Sequence, residues 1–99
     1  MKILISARAG QEVDNATAYY HSIHPALADR LLDEFSAILS HLRAHPKIYH
    51  KVTRHHHIAS LHSFPYEIYY RIKGETVQIV AFIPGRINPT SKMKRLRRG

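Results

Sequence analysis

Phe64-Pro65-Tyr66-Glu67-Ile68-Tyr69-Tyr70-Arg71-Ile72-Lys73-Gly74-Glu75-Thr76-Val77-Gln78-Ile79-Val80-Ala81-Phe82-Ile83 decides the fold of this chain. Two runs rich in β-branched and aromatic residues flank the polar link Lys73-Gly74-Glu75, whose glycine accepts the positive φ of a tight turn, so the stretch predicts an antiparallel hairpin. Alternation places Ile68, Tyr70 and Ile72 with Val77, Ile79, Ala81 and Ile83 on one apolar face. The other face is mixed, with Tyr69, Val80 and Phe82 beside Arg71 and Gln78, which calls for partial cover by another segment or a partner. A lone hairpin is marginal, so further elements must pack on it.

Upstream, Lys2-Ile3-Leu4-Ile5-Ser6 reads as a short first strand, central because both of its faces are apolar. Ala9, Val13, Ala16 and Tyr20 then follow a helical period and predict a first helix ending near Tyr20. Pro25 suits the first turn of a second helix, where Leu27, Leu31, Phe35, Ile38 and Leu42 form an apolar stripe up to about Ala44, before Pro46. The two helices form an antiparallel hairpin joined by about four residues. Ile58 and Leu61 mark another strand within residues 47–63. The whole is an α+β domain of order β-α-α-β-β-β, an antiparallel-rich twisted sheet under a two-helix hairpin. Residues 84–99 carry many bases and few large apolar groups, so they are expected to form a loose tail, removable after Pro89 without loss of the fold.

Ninety-nine residues suffice for one domain with its own core. The chain has no cysteine, which removes disulfides and thiolate zinc sites. Its apolar runs are too short for a secretory signal or a membrane span, giving the expectation of a soluble cytoplasmic protein without membrane contact. Charge is lopsided. The net of +8 divides into about −2 for residues 1–40 and about +10 for residues 41–99. Such a basic half points to nucleic acid, an acidic protein partner or an anionic surface. Of the nine histidines, His41 and His45 are spaced i, i+4 and His50, His55, His56, His57 and His62 follow. No carboxylate flanks them within residues 41–62, so neither a metal site nor a cofactor is expected. Their imidazoles add positive charge as pH falls.

In order and spacing these features resemble the RelE/ParE superfamily of type II toxin–antitoxin toxins, nearest to the ParE branch. The pattern comprises Tyr19-Tyr20 after an acidic first helix, the Leu/Phe-rich helix Ala26 to Leu42, Pro46, the Phe-Pro-Tyr-x-Ile-x-Tyr strand (Phe64, Pro65, Tyr66, Ile68, Tyr70), and Arg-x-x-Pro at Arg86 and Pro89. The resemblance implies a toxin of a plasmid-stabilisation module, neutralised by an antitoxin from an adjacent gene. ParE-like members poison DNA gyrase, whereas RelE-like members cut mRNA in the ribosomal A site. RNA cleavage needs a base, an acid and cations for the phosphate. After Glu75 this chain has no His, Tyr, Asp or Glu, and Pro84, Ile87 and Lys92 stand near where relatives carry histidine, arginine and tryptophan. A ribonuclease would have to draw on Arg54, His57 and Arg86. The reading taken forward is a gyrase inhibitor acting by binding, with Arg71, Arg86, Lys92, Lys94, Arg95, Arg97 and Arg98 on the target or an acidic antitoxin. The alternatives are a ribosome-dependent endoribonuclease and a non-toxic basic nucleic-acid-binding module. Tyr69 and Phe82 are read as core residues or as a base-stacking platform.

Overall fold

A computed structural model describes residues 1–97. The elements are β1 (Lys2–Ile5), α1 (Ala7–Ile23), α2 (Pro25–Ala44), β2 (His57–Ser60), β3 (Tyr66–Lys73), β4 (Thr76–Pro84) and α3 (Pro89–Arg97). The sheet runs β1-β4-β3-β2, with β1 parallel to β4 and the other pairs antiparallel. Among the described residues, no helix is long and apolar enough to cross a membrane.

Local chemistry accounts for the helix ends. The Ser6 hydroxyl accepts the Ala9 N–H at 3.1 Å and starts α1. His24 does two things at once: its own N–H closes α1 on the Tyr20 carbonyl at 2.9 Å, and its Nδ1 accepts the Ala26 N–H at 3.1 Å to open α2. One residue therefore joins the helices, where the sequence led us to expect about four. With Pro25 restricting the backbone and His24 capping both ends, no longer link is needed. Ala9, Val13 and Ala16 of α1 and Leu31, Phe35 and Leu42 of α2 cover one sheet face, meeting Ala59, Ile68, Tyr70, Val77, Ile79 and Phe82.

The hairpin turns at Gly74-Glu75. Gly74 has φ 60° and is the only described residue with positive φ, the pattern of a two-residue II′ turn. The expected two-faced alternation is broken, however, because the register shifts between Tyr69 and Tyr70: Tyr69 pairs with Ala81 while Tyr70 pairs with Ile79, and Val80 is left over as a β-bulge. An extra residue exchanges the faces of everything beyond it. Val77 and Ile79 thus face the helices as expected, but Phe82 joins them, and Ala81 and Ile83 turn to the opposite face. Phe82 lies against Tyr66 (ring centroids 4.8 Å apart, nearly parallel) and Phe35 (5.5 Å, edge-on). Both Phe82 and Tyr69 are buried, so they are core and present no stacking platform.

Two further expectations are corrected. β1 is an edge strand, because β3 occupies the other side of β4; Ile3 packs on the core while Leu4 and Ile5 remain 47% and 44% exposed. Residues 84–97 are not a loose tail. They include α3, which lays Leu96 on Tyr69, Val80, Ala81 and Ile83 and supplies the cover that the mixed sheet face requires.

Two ion pairs fasten α3. Lys92 Nζ donates to Glu67 Oε1 and to the Gly85 carbonyl, both at 2.9 Å. Arg95, 7% exposed, grips Glu12 of α1 through Nε (2.9 Å) and a terminal nitrogen (2.7 Å). The same terminal nitrogen donates to the Val80 carbonyl at 2.8 Å, and Glu12 Oε1 accepts the Phe82 N–H at 3.1 Å. The last bond from beyond β1 to this edge of β4 is Ser6 N–H to the Ile79 carbonyl. Where that pairing stops and the bulge begins, the Glu12–Arg95 pair takes over the backbone groups that a buried edge must satisfy.

Candidate functional site

The segment from α2 to β2 folds back on itself over β3. The Tyr70 hydroxyl, its pKa pushed up to about 12 by burial, donates to the Pro46 carbonyl at 2.8 Å and pins the start of the loop. At its tip Thr53 Oγ1 accepts the N–H groups of His55 (3.2 Å) and His56 (3.0 Å), leaving its proton to donate to His56 Nδ1 at 2.8 Å. Val52 N–H donates to the His56 carbonyl, and Lys51 bridges to His57 in antiparallel fashion. The local result is a tight return that carries Lys51 and Arg54 back over the sheet.

Between this return and β3 lies a cleft of about 580 Å³ lined by Lys47, Lys51, Arg54, His55, His57, Arg71 and Ile72. Its wall holds four permanent cations, two imidazoles and one apolar side chain, with no carboxylate. Lys47, Lys51 and Arg54 are exposed, whereas Arg71 is half-buried. The Nε of Arg71 is buried with no hydrogen-bond partner. Desolvation, then the Arg71 charge and then His55, hold the pKa of His56 below the usual imidazole value.

His57 is buried. Its ring stacks on Tyr70 (centroids 5.0 Å apart, 13° between planes), and Nδ1 lies 2.7 Å from the Tyr49 carbonyl. A carbonyl only accepts, so Nδ1 carries the proton, and this bond fixes the ring's orientation.

The structure brings Arg54, His57 and Arg71 together but leaves Arg86 apart. His57 pairs with Tyr70, whereas Pro84, two residues before Arg86, pairs with Tyr66. Four residues of strand separate those positions by roughly 13 Å. Arg86, Lys94 and Arg97 are exposed, Lys92 and Arg95 are committed to Glu67 and Glu12, and Arg98 lies outside the described residues. Burial of Tyr69, with its hydroxyl bonded to Glu67 at 2.8 Å, raises its pKa well above that of a free phenol. Among the described residues, no group of three or more His, Cys, Asp or Glu converges as metal ligands would.

Sequence reasoning passed over Lys47 and Lys51 as site residues and weighed His55 among the histidines without assigning it a role. The signal was present in the bases at 47, 51 and 54 ahead of a strand, but a loop has no period from which to read a common face.

The family model described as "ParE toxin of type II toxin-antitoxin system, parDE" matches residues 3–89. Among solved structures, the chain is similar to one titled "Chromosomal ParDE TA system from P. aeruginosa", with a TM-score of 0.63 at 14% sequence identity over 85% of this chain and 95% of that one. At that identity the likeness concerns the fold. No curated protein matches.

Proposed function

As the chain belongs to the ParE toxin family of type II toxin–antitoxin systems, we propose that it acts by binding: free, it engages DNA gyrase and stops supercoiling; in complex, an acidic antitoxin from the adjacent gene holds it inactive. This places its action in the cytoplasm. The observation that carries the choice of target is the disposition of the residues an RNA-cutting mechanism would need. His57 is stacked under the loop with Nδ1 engaged on the Tyr49 carbonyl, and Arg86 stands at the far end of the sheet. Acid–base cleavage requires base, acid and phosphate-binding cations around one scissile bond. Arg54 and His57 share one cleft, but Arg86 stands apart and the wall supplies no carboxylate or tyrosine as a second proton-handling group, which favours a protein that grips over one that cuts.

The uncompensated charge suits that role. Lys47, Lys51, Arg54, Arg86, Lys94 and Arg97 are all exposed, and a surface of this sign speeds encounter with anionic partners. The test uses purified gyrase and relaxed plasmid. Added protein should lower the supercoiling rate, and the product of the gene beside it should restore the rate. Full supercoiling together with codon-specific cuts in translated mRNA would transfer the protein to the ribonuclease reading.

A further inference from the structure

We propose that the cleft of Lys47, Lys51, Arg54 and Arg71 is a binding site for the phosphodiester backbone of a nucleic acid. The inference goes beyond the gyrase reading, since it names a ligand chemistry and its place on the fold and does not depend on which enzyme the toxin blocks.

Where this fold uses a cation for structure, it supplies an acid: Lys92 has Glu67 and Arg95 has Glu12, and these are the two ion pairs among the described residues. The cleft collects four permanent charges and His55 and His57 around one volume of about 580 Å³ with no acid in its wall. Like charges held together raise the free energy of the folded chain, and an anionic ligand relieves that repulsion.

Arg71 adds an unsatisfied donor. Its Nε and one terminal nitrogen of Arg95 are the buried side-chain donors without an acceptor among the described residues, and of the two side chains only that of Arg71 lines the cleft, where a ligand could relieve the cost. The planar donor fork of arginine matches the paired oxygens of a phosphate. The wall also lacks apolar surface. An acidic peptide that folds on binding needs apolar surface to offset its ordering entropy, and Ile72 is the one apolar group here. A phosphate backbone needs no such surface. It binds by charge and by release of its counterions.

Fluorescence anisotropy with labelled duplex DNA and single-stranded RNA, each of about 20 nucleotides per strand, tests the site through its salt dependence. Four phosphate contacts give duplex DNA a slope of log K against log salt near −3.6, about 0.9 per contact, so affinity falls roughly 150-fold between about 50 and about 200 mM salt. Lys51→Gln/Arg54→Gln changes two exposed loop residues and should melt like the wild type, while its slope becomes shallower by about 1.8 on DNA or about 1.4 on RNA. The control Arg8→Gln/Arg30→Gln, two exposed cations on α1 and α2 outside the cleft, should keep the wild-type slope. Whichever nucleic acid binds more tightly at matched salt identifies the natural source of the phosphate. The proposal is overturned if the control loses the slope and the cleft variant keeps it. It is equally overturned if poly-glutamate of comparable length binds the wild type but not the cleft variant while nucleic acid binds both alike, since the site would then be one for an acidic polypeptide.

Discussion

Replacing Arg95 with methionine should destabilise the protein far more than the loss of an ordinary charge on a short C-terminal helix. The arginine is 7% exposed, makes two bonds to Glu12 at 2.7 and 2.9 Å, and donates to the Val80 carbonyl at 2.8 Å. Its partner Glu12 has a side chain 20% exposed and also accepts the Phe82 N–H. Removing one member of a buried pair costs about 3–5 kcal/mol, and the residual access of water to Glu12 argues for the lower figure, about 3 kcal/mol. In a domain of this size that lowers the melting temperature by roughly 12–24 °C. Methionine keeps most of the aliphatic volume, so the loss reports the guanidinium and not a cavity. Glu12→Gln is the matching change, because its amide oxygen still accepts from Phe82 N–H. Thermal and urea unfolding of both single variants and the double variant close a cycle, and a coupling energy of about 1.5 kcal/mol or more is expected for groups in direct contact. Single variants within about 1 kcal/mol of wild type, or strictly additive ones, would refute the edge-capping argument.

Ending the chain at Pro89 removes both Leu96 and Arg95, so the truncated protein should lose about 4 kcal/mol or more and bind a hydrophobic dye through bared Tyr69, Val80, Ala81 and Ile83; unchanged melting without dye binding would count against a docked α3. Gly74→Ala meets nothing within 4 Å of the new methyl group, so any cost is conformational; at φ 60° it should be about 1–3 kcal/mol in urea unfolding, and an unmoved midpoint would contradict the turn. His56 has a folded-state pKa below its unfolded value near 6.5, so the folded state binds fewer protons and stability falls as pH drops below about 6.5 toward the folded value. His56→Gln should remove part of that acid sensitivity, and melting curves at about pH 7.5 and about pH 5.5 that keep the same gap in both proteins would show that His56 is not its source.

What was legible in the sequence follows from what repeats locally. The α2 stripe was readable to its last residue because Leu31, Phe35 and Leu42 recur with the helical period and proline bounds both ends. The hairpin was readable from Gly74 and the flanking β-branched residues. The bulge at Val80 was not. Five consecutive apolar residues, Ile79 to Ile83, satisfy either face assignment, and the choice is made by Phe82 fitting between Phe35 and Tyr66. Those partners are distant in sequence, and no local pattern announces them. The edge position of β1 escaped for a related reason: a strand with apolar residues on both faces looks central until the rest of the sheet shows which of its sides has a neighbour.

The candidate site was legible by residue type and illegible by place. Arg54, His57 and Arg71 stand out singly, but their gathering depends on a loop return fixed by Thr53 and by the Tyr70–Pro46 bond. Counting charge over residues 84–97 led the other way, toward the tail, because a count cannot tell a solvated base from one committed to an acid. Two of its five described bases are committed, Lys92 to Glu67 and Arg95 to Glu12, and the second of these pairs spans 83 residues of sequence. With those two charges holding α3 on the sheet, the cleft between the 47–57 return and β3 still gathers four cations with no acid in its wall. On the reading proposed above, α3 closes the fold through those two pairs, and the cleft is the place proposed to meet an anionic partner.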